Sequence, residues 1–211
     1  MLVLDNCSVS SPDGPGIYCY DAKNLYIKLA DGSENFVSDS AEYTFTGTNE
    51  NKDDDEPNAA IFSKSDLIFC GNGSLSVNGN FNNAISGKDD LTFESGKITV
   101  TAVNNGIRGK DSVAVIDAEI KVEAVADAIK SSNDTDEGKG YIVILGGKVE
   151  ATAGEDGIDA QTDLRISGGE VTVKTTGDVS QGGNDMGGRW AETTAASDND
   201  LSSKGIKSGN V

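Results

Sequence analysis

"DLTFESGKITVTAVNNGIRGKD" runs from Asp90 to Asp111, and "SVAVIDAEIKVEAVADAIKSSN" follows from Ser112 to Asn133. Set one above the other, they align residue for residue. Each has a short apolar run, a Gly or Asp corner, an alternating run, and then Asn or Asp, a small residue and Ile. The alternation in "KITVTAV" and "EIKVEAV" puts Ile, Val and Ala on one face and Lys, Thr and Glu on the other, as a half-buried strand requires.

The same unit begins again at Asp66, Tyr141 and Asp163. Ile85 to Ile107 and Ile107 to Ile129 are each 22 residues, Ile129 to Ile158 is 29, and Ile158 to Val179 is 21. The 29-residue step contains seven extra residues around "NDTDEGK", beginning at Asn133. A repeat of this length, with strands and no helical segment, is a solenoid in which each coil buries the apolar face of the next. Three strands per coil predict an all-β, right-handed parallel β-helix. Three inward ladders follow: Leu67, Leu91, Val113, Ile142, Leu164; Val77, Val100, Val122, Ala151, Val173; and Ile85, Ile107, Ile129, Ile158, Val179. "PNAAIFSKSD" (57–66) and "GPGIYCYDAKNLYI" (14–27) read as earlier coils. "SSKGIKSGNV" (202–211) reads as the start of another. Residues 1–211 are expected to form one domain, with a long loop at about 182–200.

The chain has 35 acidic and 17 basic residues, a net charge of −18, and no histidine. The charge argues against nucleic acid, which needs a basic footprint. The lack of histidine removes His-based acid–base catalysis and most zinc sites. An acidic surface suits a hard cation bound through oxygens. No apolar run of 18 residues exists, so membrane insertion is not expected. "MLVLDNCSVS" lacks the composition of a leader, so the chain is either cytosolic or lacks its export signal. Cys7, Cys19 and Cys70 lack zinc spacing. They are expected to be small buried hydrophobes, a Cys7–Cys19 disulfide being the alternative.

The motifs "ADGSENFVSDS", "DDDEPNAAIFSKSDL", "GSLSVNGNFNNAISGKDDL", "NNGIRGKDSV" and "EDGIDAQTDLRISGGEVTV" resemble the bacterial carbohydrate-binding domain-containing β-helix family. The resemblance covers about 14–176. It implies a calcium-containing right-handed β-helix similar to polysaccharide lyases, especially family 9 pectate lyases. It also implies binding of cellulose and polygalacturonate. The chain is expected to act as a monomer outside the cell or on its surface.

Several constellations could carry that function. Asn83, Asn105, Asp127, Asp156 and Asp178 recur just before the inward apolar residue. Stacked carboxylates repel unless a cation bridges them, whereas Asn and Asp also favour corners for their own hydrogen bonds. Asp127, Asp156 and Asp159 are the candidate Ca²⁺ site, with Asn105 beside them and Asp134 or Asp136 of the seven-residue excess closing it. The family 9 resemblance points to the same aspartates. "NENKDDDEPNAA" (49–60) could hold a second ion through Asp54, Asp55, Glu56 and Asn58. Arg108, Lys130, Lys88 and Lys110 form a basic strip that either neutralises the acids or holds polysaccharide carboxylates. If the chain were a lyase, Lys130 or Arg108 would be the base. Neighbouring acids oppose the low pKa such a base needs, so binding ranks above catalysis. A surface adhesin that uses calcium only as a staple is a third reading. Trp190, the sole tryptophan, is a candidate sugar-stacking residue or an anchor of its own loop.

Overall fold

The computed structural model describes residues 1–44, 56–177 and 203–209. These residues form three parallel sheets of seven strands, with no helix. Sheet 1 holds Leu2–Leu4, Asn24–Leu29, Asp66–Gly71, Asp90–Phe93, Ser112–Val115, Tyr141–Ile144 and Leu164–Ile166. Sheet 2 holds Ser8–Ser10, Glu34–Ser38, Ser74–Gly79, Lys97–Ala102, Glu119–Ala124, Lys148–Ala153 and Glu170–Thr175. Sheet 3 holds Ile17–Cys19, Ala59–Ser63, Asn83–Gly87, Ile107–Gly109, Ile129–Ser131, Ile158–Ala160 and Ile206–Ser208. The chain visits the sheets in turn, so each round is one coil. The architecture is a right-handed parallel β-helix, the sense that parallel crossovers take.

The expected ladders are present. Leu67, Leu91, Val113, Ile142 and Leu164 lie in register across sheet 1. Val77, Val100, Val122, Ala151 and Val173 do so across sheet 2, and Ile85, Ile107, Ile129 and Ile158 across sheet 3. Most of these side chains are buried, and the two from the seventh coil, Leu164 and Val173, are half-buried at the end of the stack. Phe69 and Phe93 occupy one inward position on adjacent coils and stack with ring centroids 5.0 Å apart. Outside, Lys97, Glu119, Lys148 and Glu170 share one row of sheet 2, so charge alternates from coil to coil. A row of like charges at about 4.8 Å spacing would repel.

One ladder ends differently from expectation. Ile206 lies on Ile158, so "SSKGIKSG" closes the seventh coil and does not open another. The reason lies in the small-residue slot before each inward Ile. It is filled by Ala60, Ala84, Gly106, Ala128, Gly157 and Gly205. A Cβ on Gly157 would stand 2.0 Å from Val173 Cγ1. Stacking Val179 on Ile158 would send Asp178 into that tight slot, whereas Lys204-Gly205-Ile206 keeps the pattern. Val179, Asp178 and the 182–200 loop lie outside the described residues.

The upstream coils form as read: Ile17 pairs with Ile61, which pairs with Ile85. "MLVLDNCSVS" supplies the first strands of sheets 1 and 2. The three cysteines are free thiols and only half-buried, Cys7 lying at a corner where its N–H donates to Asn35 Oδ1 at 3.1 Å.

Candidate functional site on sheet 3

Two polar rows run side by side along sheet 3. The first lies at the corner before the strand. Asn83 Nδ2 donates to Asn58 Oδ1 at 3.3 Å, and Asn105 Nδ2 donates to Asn83 Oδ1 at 2.9 Å. An ionised carboxylate cannot donate, so where Asp replaces Asn the backbone takes over. The N–H of Asp127 donates to Asn105 Oδ1 at 3.2 Å, that of Asp156 to Asp127 Oδ1 at 2.9 Å, and that of Lys204 to Asp156 Oδ1 at 2.7 Å. Asn105 is therefore engaged within the row by both ends of its amide. Lys204 stands at the next rung, where Asp178 was expected.

The second row projects outward from the strands: Ser86, Arg108, Lys130, Asp159 and Lys207 share one register position. The two rows converge on Asp127, Asp156 and Asp159. Their carboxylate oxygens lie within 4.8 Å of one another and all three side chains are buried. Lys130 Nζ sits between Asp127 Oδ2 at 2.6 Å and Asp159 Oδ2 at 3.0 Å. Lys207 Nζ lies 3.4 Å from Asp156 Oδ2 and 3.3 Å from Asp159 Oδ1. Burial alone would lower the pKa of Lys130, but its hydrogen bonds and Coulomb attraction to Asp127 and Asp159 outweigh this and hold it above the usual lysine value. Lys207 is raised in the same way, burial being offset by Asp159 and Asp156.

Each aspartate divides its labour. Oδ1 of Asp127 and of Asp156 accepts a backbone N–H, while their Oδ2 atoms and both oxygens of Asp159 face only ammonium groups. Four cation-facing carboxylate oxygens on a rigid corner suit a hard cation that takes six to eight oxygens, the rest coming from water or a ligand carboxylate. The donor set thus fits Ca²⁺, with Asp127, Asp156 and Asp159 as the residues that would hold it.

The structure moves several expected ligands elsewhere. Nine residues join Ile129–Ser131 to Tyr141–Ile144 where two join Ile107–Gly109 to Ser112–Val115, so the seven-residue excess is real. It leaves the far end of the strand, away from Asp127. Asp136 accepts from Asn133 Nδ2 at 2.8 Å, and Asp134 is exposed. Asn133 is buried and caps its own turn through Oδ1, which accepts from the N–H groups of Thr135 and Asp136. Its amide also reaches Asp111 Oδ1 at 2.7 Å, while Lys139 pairs with Asp111 Oδ2. The excess therefore closes over Asp111. Of the second-ion candidates, Glu56 pairs with Lys88 and the Asn58 oxygens accept from Asn83. Asp54, Asp55 and Trp190 lie outside the described residues.

Of the basic strip, Lys88 is paired with Glu56 and Lys110 lies near Asp111, whose pKa it helps to lower. Among the described residues, Arg108 has no hydrogen-bonding or ion-pair partner and is half-buried. Lys207 is the cation that sequence reading missed. The signal was there, since "GIKSG" places it after Ile206 as "AIKSS" places Lys130 after Ile129. Another concave surface, a groove of about 350 Å³ at the edge of sheet 2, includes Thr101, Glu123 and Val125. It has no cation in its lining.

The chain is a three-sheet parallel β-helix that gathers buried carboxylates and flanking cations on one outer face. The chain belongs to the family described as "Carbohydrate-binding domain-containing protein", whose model matches residues 1–211. A relative of that description from Acetivibrio thermocellus is 46% identical over 177 residues, 84% of this chain. The match covers 60% of that relative's length. A solved structure described as the polysaccharide lyase-like protein from C. thermocellum, a gadolinium derivative, superposes with a TM-score of 0.72 at 37% identity. It covers 81% of this chain and 71% of that one.

Proposed function

We propose that the outer face of sheet 3 binds an acidic plant-type polysaccharide, polygalacturonate, outside the cell, in a Ca²⁺-dependent and non-catalytic way. The observation that carries this is the set of four cation-facing oxygens from Asp127, Asp156 and Asp159, set beside Arg108, whose side chain has no partner among the described residues. Bound calcium would supply a positive centre to which a uronate carboxylate adds as a further ligand. Arg108 offers a planar fork for the carboxylate of a neighbouring sugar. Coils at about 4.8 Å spacing present these groups along a line, as an extended polymer needs.

Lyase chemistry is the second reading, favoured by the likeness to a polysaccharide lyase-like protein. It requires a neutral base, and in the calcium-free protein the ion pairs of Lys130 with Asp127 and Asp159 keep its ammonium protonated. Affinity electrophoresis on polygalacturonate, with calcium and with a chelator, tests the main reading. Retardation that needs calcium and yields no unsaturated uronide is expected. Mobility unchanged by the polymer would overturn the binding reading, and accumulating unsaturated product would establish the lyase.

A further inference from the structure

Lys130 Nζ occupies the place a metal ion would need. It lies 2.6 Å from Asp127 Oδ2 and 3.0 Å from Asp159 Oδ2. A calcium ion liganded by the same two oxygens requires distances of about 2.3–2.6 Å. Oδ2 is the less committed oxygen of Asp127, because its Oδ1 already accepts the N–H of Asp156. Two cations cannot share that position, so binding the ion means moving the ammonium.

Charge favours the move. Three carboxylates set against the two ammonium groups of Lys130 and Lys207 leave one negative charge on a buried corner. Replacing the single charge of Lys130 by the double charge of calcium cancels it, with Lys207 staying at its longer contacts of 3.4 Å to Asp156 and 3.3 Å to Asp159. The displaced ammonium has somewhere to go. Lys130 stands on the outward row next to Arg108, its side chain 29% exposed on a four-carbon stem.

We infer that Lys130 is an exchangeable counterion: calcium evicts it from between Asp127 and Asp159, and the freed ammonium joins Arg108 in holding the carboxylates of the polysaccharide. The site then has two states. In one, lysine neutralises the aspartates and is withheld from ligand. In the other, calcium neutralises them and the lysine is presented. Calcium and polymer bind with positive coupling, and by linkage the polymer raises calcium affinity by the same factor, of the order of 5- to 150-fold in known couplings. This rests on the calcium-dependent reading above.

The test uses Lys130→Met, with Lys121→Met on sheet 2 as a control for loss of one positive charge far from the trio. Calorimetry with CaCl₂ is run on the wild type and both variants, with and without oligogalacturonate. K130M is expected to bind calcium about tenfold more tightly, having lost its internal competitor. It should bind oligogalacturonate more weakly when calcium is saturating, with most of the coupling gone. K121M should track the wild type. The wild-type protein gives a second readout. Acylation of Lys130 by an amine-reactive reagent, followed by mass spectrometry, should rise severalfold on adding calcium, with Lys97 unchanged. Calcium affinity that falls or stays the same in K130M, or Lys130 reactivity that does not rise, would overturn the exchange and leave calcium-dependent binding standing. A wild type that binds no calcium overturns that reading and the exchange together.

Discussion

Asp127 and Asp156 are 29 residues apart in sequence and one coil apart in space, and the backbone N–H of Asp156 donates to Asp127 Oδ1 at 2.9 Å. The bond gives the two oxygens of Asp127 different jobs. One belongs to the fold and the other to the cation. Asp127→Asn keeps an acceptor and removes the charge, so it should abolish most calcium affinity while shifting the melting temperature of the calcium-free protein little. Asp127→Ala should also orphan a buried N–H, at a cost of about 1–3 kcal/mol. Urea unfolding under chelator separates them, and equal stability of the two variants would contradict the division.

Arg108 tests the polymer contact apart from the metal. Its guanidinium has no partner among the described residues and does not touch the trio. Arg108→Ala should weaken polygalacturonate binding by about tenfold or more, as loss of a hydrogen bond to a charged group does. Calcium affinity in the absence of polymer should be unchanged. A parallel loss of calcium affinity in calorimetry would show that Arg108 acts through the site and not on the ligand.

Asp111 gives a pH signature. Burial pushes its pKa up, but hydrogen bonds from Lys139 and Asn133 and the nearby positive charges of Lys139 and Lys110 push it down further, so the folded value lies below the ordinary one. Its stabilising contribution is complete above the unfolded value of about 3.9 and fades as pH falls through the folded value. Wild type should therefore exceed Asp111→Asn in stability by a constant amount near neutrality. The gap should close in acid, as followed by denaturant unfolding at a series of pH values. A gap that widens below pH ~4 would contradict the sign.

Gly157 tests the tight slot beneath Ile206. Gly157→Ala would place a Cβ 2.0 Å from Val173 Cγ1 and 2.5 Å from the carbonyl oxygen of Gly205. The seventh coil must shift, costing about 1–3 kcal/mol as overpacking does. Because Lys204 and Lys207 flank Gly205–Ile206, their contacts to Asp156 and Asp159 should loosen as well. Thermal melting and calcium titration should both respond. No change in melting would mean that the slot is not closed by Ile206.

The ladders were legible because strand periodicity and the 22-residue repeat act together. One apolar residue per coil at a fixed place, such as Ile85, Ile107 and Ile129, has no other economical arrangement. The trio was legible for the same reason, since Asp127 and Asp156 sit at one phase of the repeat and Asp159 just beyond. What misled was apolar character taken without its neighbours. Val179 has the hydrophobicity for the ladder, but Asp178 before it does not suit the slot that Gly205 fills before Ile206. The acidic excess at Asn133–Glu137 carried the composition of a metal loop, yet it leaves the strand at the end remote from Asp127. Sequence order puts the excess after the strand but does not tell whether it folds back toward Asp127; in the structure Asn133 binds Asp111.

The corner row beside sheet 3 changes character along its length. It starts with the amides of Asn58, Asn83 and Asn105, continues with the carboxylates of Asp127 and Asp156, and finishes at the N–H of Lys204. The two ends of the rod are thus chemically unlike, although its coils are nearly identical in shape. A sugar chain also has two unlike ends. On the proposed reading, a chain laid along this face and then reversed would meet the uncharged amides where it had met the anionic corner, so the two senses of a polymer would not be equivalent.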